Sequence, residues 1–148
     1  MKKLLTLSVM MLLVLGLLTA CTLNDNQNVY YNSGRILNTT RELEYTEFNE
    51  SITEGQAYLT FKELSGIDTL FIFTAEEFAS ITVFQCIDGG QAKIVLIDPY
   101  DRIIELKETT VINMTEGYYK IKVVGNDACG MIAISILSHS TVQFIPVV

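Results

Sequence analysis

Tryptophan is absent from this chain, histidine occurs once, proline twice and cysteine three times. Each scarcity removes a class of function. Without tryptophan the widest stacking platform for a sugar is missing, and tyrosine or phenylalanine must serve instead. The single histidine, His139, lies between Ser138 and Ser140, too few for a multi-histidine zinc centre. Adjacency gives a Ser–His pair poor geometry there, and no Gly-x-Ser-x-Gly elbow supports one. Cys86 and Cys129 lack CxxC spacing and have no basic sequence neighbours to activate a thiol. Basic side chains are also few, 10 against 17 acidic, for a net charge of -7. That balance excludes a nucleic-acid partner, which needs clustered Lys or Arg.

What is present begins with an address. Lys2 and Lys3 precede an uncharged apolar run from Leu4 to Ala20, followed by Cys21. A basic start, an apolar middle and a small-residue exit make a secretory signal. The ending Leu18-Thr19-Ala20-Cys21 resembles the lipobox of bacterial lipoproteins. That resemblance implies a diacylglyceryl group on the Cys21 thiol and cleavage just before it. Two acyl chains hold a protein stably at a bilayer, where one binds marginally. The organisation expected is a lipoprotein signal peptide over 1–20, a flexible asparagine-rich tether over 21–34 and one domain over 35–148. The expected location is the extracytoplasmic face of the cell membrane.

Beyond the tether, apolar residues recur with period two and β-branched and aromatic residues dominate. Nine or ten short strands are expected, broken at Ser65-Gly66, Asp88-Gly89-Gly90, Asp98–Asp101 and Gly125-Asn126-Asp127. No room remains for the crossover helices of a parallel α/β fold. The expectation is all-β: an antiparallel β-sandwich, jelly-roll-like. In YYKIKVV, Tyr119, Ile121 and Val123 point one way, while Lys120 and Lys122 form a solvated face. A hairpin through Gly125-Asn126-Asp127 would bring that apolar row beside Ile132, Ile134 and Ile136. ITVF and IVLI are apolar on both parities, so they need a second cover: the N-terminal segment, a long loop or a second protomer. A homodimer follows as one expectation.

The runs GQAKIVLIDPYDRIIEL and TEGYYKIKVVGNDACGMIAISI resemble the β-sandwich of small uncharacterised Firmicutes lipoproteins. Similar strand-and-turn grammar occurs in pre-peptidase C-terminal and galactose-binding-like domains. Gly90, Asp98, Pro99, Gly117, Tyr119, Ile121, Val123, Gly125, Ala128 and Gly130 match; Asp101 departs from the usual glycine or asparagine. The resemblance implies a lone domain behind a lipid anchor and supplies no catalytic residue.

Three candidate sites remain. Asp88, Asp98, Asp101 and Asp127 sit in expected turns and offer oxygen ligands to a calcium ion as cofactor. Tyr100 and Tyr118, beside turns, and Tyr58, on a strand, are candidate binding aromatics. Cys86 and Cys129, in an exported domain, are either a disulfide or two separate thiols; a bridge would be worth about 4 kcal/mol in the loop-entropy account. The function read from these features is a noncatalytic lipoprotein domain with a binding or scaffolding role at the cell envelope. The alternatives are a carbohydrate- or peptide-binding module using exposed tyrosines, and a weak hydrolase built on carboxylates such as Glu76-Glu77. Partners are therefore the membrane, through the N-terminal lipid, and a small-molecule, glycan or peptide ligand. Radiolabelled fatty acid or glycerol fed to the producing cell is expected to label the chain, and Cys21→Ala to abolish the label. An unlabelled parent chain would remove the tether.

Overall fold

The structure, a computed structural model, describes residues 29–74, 78–138, 142–145 and 147. The leader, Cys21, the Glu76-Glu77 pair and His139 lie outside the described residues. A short helix, α1 (Ser33–Asn38), comes first, capped by Asn32, whose Oδ1 accepts the Arg35 backbone N–H at 3.1 Å. The strands are β1 (Arg41–Glu44), β2 (Glu47–Thr53), β3 (Gln56–Thr74), β4 (Phe78–Ile97), β5 (Ile103–Leu106), β6 (Thr109–Asn113), β7 (Tyr119–Ser138) and β8 (Gln143–Ile145). All the described strands belong to one antiparallel sheet with the path β1-β3-β7-β4-β5; β2 and β8 also pair β3, and β6 pairs β4. The all-β, antiparallel expectation holds, with hydrogen bonding in a single sheet where the sequence reading expected two.

The larger difference concerns strand length. β3, β4 and β7 run 19 or 20 residues each. Ser65-Gly66, Asp88-Gly89-Gly90 and Gly125-Asn126-Asp127 were expected to reverse the chain; they are irregularities inside continuous strands instead. The β3–β7 register shifts at Phe61/Leu64 and Leu64/Gly66, and the β4–β7 register at Ile87/Gly89 and Gly89/Gln91. A bulge puts extra residues on one strand, bends it and raises its twist. These bulges share one band across the three central strands, since Gly66 pairs Gly125 and Gly130 pairs both Phe61 and Ile87. Gly66 (φ +115) has no room for a side chain, because a Cβ there would lie 1.9 Å from the Glu42 carbonyl oxygen.

The bend is measurable through Phe144. Its ring centroid lies 6.0 Å from that of Phe73, near the end of β3. The same ring would be 3.4 Å from a Cβ on Gly55, just before the start of β3. A straight strand would separate those ends by about 60 Å. Both halves of each long strand accordingly feed one apolar cluster: Leu59 and Phe73 from β3, Ile81 and Leu96 from β4, Ile121 and Ile134 from β7. The two expected isoleucine-bearing rows do share a core, through a bend rather than a hairpin. Tyr119 lies in this core, stacked on Phe73 at 5.8 Å, with its hydroxyl accepting the Thr115 N–H at 2.8 Å.

The opposite face of one half is covered by the N-terminal segment, one of the three covers expected for IVLI. Val29 and Ile36 pack on Ile67, Val95, Ile97 and Val124. Residues 29–34, assigned to the tether from sequence, are thus part of the folded body. The expected solvated lysine face is also corrected, because this cover leaves Lys122 only 1% exposed. Its ammonium donates to the carbonyls of Ile36 (2.6 Å), Leu37 (3.2 Å) and Thr39 (2.7 Å), the unsatisfied groups at the end of α1. Burial, helped by Lys120, pulls the Lys122 pKa down to about 8, so the group remains mostly charged at neutral pH. Lys93 adds a second clamp, donating to the Tyr30 carbonyl at 2.5 Å and lying 4.3 Å over its ring. By contrast ITVF is covered on one side only, leaving Phe84 exposed.

Lys122→Met keeps the stem and deletes the donor. The expected loss is about 1–3 kcal/mol, the cost of stranding buried carbonyls. Hydrogen exchange should quicken across 29–39 while the central strands stay protected. Unchanged protection of the Ile36 amide would assign the clamp to the apolar cluster alone.

Candidate functional site

Strand alternation sorts β7 after its bulge into two rows. Ile132, Ile134 and Ile136 face the core, while Ala133, Ser135 and Leu137 face outward. Ala133 pairs Tyr58 on one side and Phe84 on the other. Two aromatic rings, 45% and 59% exposed, therefore flank a single methyl group, with their strands about 10 Å apart. The small central residue leaves a notch of about 360 Å³, walled by Ser51, Thr53, Gln56, Thr82 and Ser135 besides the rings and Ala133. The adjoining row is wholly polar: Thr53, Gln56, Ser135, Thr82 and Thr109 pair in sequence across five strands. Thr82 and Thr109 hydroxyls lie 3.2 Å apart. A stacking slot beside a line of hydroxyl and amide groups can hold a flat ring bearing polar edges.

Of the three candidate tyrosines, only Tyr58 is in this notch. Tyr100 and Tyr118 are exposed near the opposite end, where Gly117 lies against Pro99 so closely that a Cβ would meet it at 2.6 Å. The Arg102 guanidinium sits 5.7 Å from the Tyr100 ring. Phe84 is not singled out by sequence, because ITVF is apolar on both parities and reads as a strand covered on both sides. The alternation of Ile81 and Val83 with Thr82 and Phe84 was the available signal.

A second concavity of about 540 Å³ opens between β1, β2, β3 and β8. Its wall carries Asp68, whose side chain is 4% exposed. Arg41 reaches Asp68 through Nε and Glu50 through a terminal nitrogen, each at 3.7 Å. Burial pushes the Asp68 carboxyl up to about 6; Arg41 and the Thr69 N–H oppose the rise, and Glu50 adds to it. From sequence, Asp68 carries no role. Arg41 spans the two carboxylates, an ion-paired arrangement rather than two acids flanking a water and a scissile bond.

The four calcium candidates do not assemble. Asp98 is committed to its own turn, accepting the Tyr100 N–H (2.9 Å), the Arg102 N–H (2.9 Å) and Arg102 Nε (2.5 Å). Burial alone would raise its pKa, but these hydrogen bonds and the Arg102 charge lower it. Asp101 occupies the same turn with φ 59, while Asp88 and Asp127 belong to the bend. Among the described residues, no group of three or more His, Cys, Asp or Glu side chains is placed to hold a metal ion.

Of the two readings of Cys86 and Cys129, the structure has the free thiols. The register explains why the bridge is not formed: Cys86 faces Met131, while the bulge sets Cys129 opposite Gly89. Cys129 Sγ instead accepts the Glu63 N–H at 3.4 Å.

No family model and no curated protein matches the chain. Among solved structures, a Shewanella oneidensis protein is similar at 8% identity and TM-score 0.34, over 70% of this chain and 72% of that one. A Streptomyces PAC13 variant solved with uridine is similar at 9% identity and TM-score 0.30, over 74% of this chain and 94% of that one. Neither likeness bears on what this chain does.

Asp68 supplies a signed prediction. Its folded pKa lies above the unfolded carboxylate value, so the native state binds the extra proton between about pH 4 and 6. The stability from this group is full below that window and is lost as pH rises through it. Asp68→Asn mimics the protonated form. Urea unfolding should show it more stable than the parent at pH 7, by up to about 3 kcal/mol, and equal below pH 4. A less stable variant at pH 7 would show that the Arg41 pair outweighs the burial cost.

Proposed function

We propose that this chain is a noncatalytic glycan-binding module, held by lipid on Cys21 at the extracytoplasmic face of a membrane. In this reading the bent sheet closes on its inner face as a two-layered sandwich. The outer face is then the working surface. The observation that carries the proposal is the Tyr58–Ala133–Phe84 row, two exposed rings about one small residue with a polar row beside them. Aromatic faces attract the C–H faces of a pyranose, and hydroxyl and amide groups exchange hydrogen bonds with its edges. The excess of acidic side chains disfavours acidic sugars, so neutral oligosaccharides are the class expected. A peptide strand is less well served, because the row lies in the middle of the sheet rather than on an unpaired edge.

Titration calorimetry with neutral oligosaccharides should detect binding. Tyr58→Ala and Phe84→Ala are each expected to weaken it about tenfold or more, while Tyr100→Ala leaves it unchanged. A chain that binds no sugar, or whose Tyr58 and Phe84 are buried in a solution dimer, would overturn the assignment.

A further inference from the structure

One row along the outer face from the notch, sulfur replaces the aromatic rings. Cys86 and Met131 are direct cross-strand partners. Facing side chains in an antiparallel pair have Cβ atoms about 4.5–5.5 Å apart, close enough for both sulfurs to reach one ion. Cys129 precedes Met131 by two residues, with Gly130 (φ +148) between them. In spite of the bulge, Cys86, Cys129 and Met131 all line a single groove of about 470 Å³, with Lys62 and Asp88 in its wall. Both thiols are free. The Glu63 N–H fixes Cys129 Sγ in place, leaving that sulfur other lone pairs for a ligand.

We infer that Cys86, Cys129 and Met131 form a site for a soft monovalent metal ion, Cu(I) being the physiological candidate. Thiolate and thioether donors select Cu(I) over harder ions. Zinc structural sites take four ligands from Cys, His or carboxylate, and the described residues do not gather even three. Coordination breaks two S–H bonds, forms two metal–thiolate bonds and releases two protons to solvent. No electron is transferred. Two thiolates and Cu(I) carry one net negative charge; in the groove wall the Lys62 ammonium is ion-paired with Glu47 at 3.8 Å, and the Cys86 thiol faces the Asp88 carboxylate at 3.9 Å. The thioether of Met131 is neutral, flexible and polarizable, suited to closing the third side. This site stands independently of the glycan reading, although the two share a face.

The test uses the full chain with Cys21→Ala, so that only these two thiols remain. Cu(I) is titrated anaerobically against a colorimetric Cu(I) chelator. One ion per chain is expected, with release of two protons and no displacement by excess Zn(II). Cys86→Ser and Cys129→Ser should each abolish stoichiometric binding, and Met131→Leu should weaken it roughly tenfold. Circular dichroism checks that each variant keeps the parent fold; Cys86, being exposed, is the least disruptive of the three to change. Equal Cu(I) affinity in the parent and Cys86→Ser would overturn the site. So would thiol counting, on chain collected from the exporting compartment without reductant, that finds neither cysteine free.

Discussion

A strand of twenty residues is far longer than one small core, so three such strands side by side can share a core only by bending together. The band of bulges through Glu63–Gly66, Asp88–Gln91 and Gly125–Gly130 supplies that bend. Everything else about the surface follows from it. The inner face gathers apolar rows from both halves of each strand, and the concavity around Asp68 opens where β1, β2 and β8 meet β3. The outer face is left without a covering layer over half its length, which is why Phe84, Val111 and Leu137 are exposed. Bending also requires backbone conformations that side chains resist: Glu63 and Asp127 take positive φ values beside the glycines. The cost of such residues is met by the packing on either side of the band.

The other half of that outer face is closed by a charge. Lys122 is an expensive residue to bury, since desolvation alone costs several kcal/mol before any partner is found. Three carbonyls at the end of α1 make the burial tolerable and at the same time satisfy the helix terminus. The arrangement is reciprocal, because the helix has too few residues to be stable alone and its terminal carbonyls are the acceptors that the lysine meets among the described residues. Lys93 and Tyr31 extend the same logic, tying Tyr30 and the preceding turn to β4 through a carbonyl and to Gln91 through a hydroxyl.

Much of the fold was legible in the residues. Period-two alternation marked nearly every strand segment, and the apolar rows of YYKIKVV and GMIAISI were assigned to the correct core face. The failures have a common physical origin. A glycine at positive φ serves a tight turn and a bulge equally well, so Gly66, Gly90 and Gly130 could not say whether the chain reverses or merely bends. Lys122 alternates with Ile121 and Val123 as an outward residue should, and nothing local shows that a segment eighty residues earlier folds over it. Asp68 carried no pattern at all; its burial is a property of its neighbours. At the notch Tyr58 was visible as an aromatic on a strand, whereas Phe84 required knowing which face remained open. Cys86 and Cys129 read equally as a disulfide or as two thiols because register, which sets Cys86 against Met131, is not written in sequence spacing.

The clamp on Val29 has a geometric outcome for a lipid-bearing Cys21. Val29, the first described residue, stands eight positions after that cysteine, and eight residues can span at most about 28 Å. On the proposed lipid anchorage, a leash of that reach would keep the body within roughly its own width of the headgroups. In that proposed setting a ligand of the outer face would be met close to the bilayer plane, and a longer polymer standing out from the surface near its root rather than along its length.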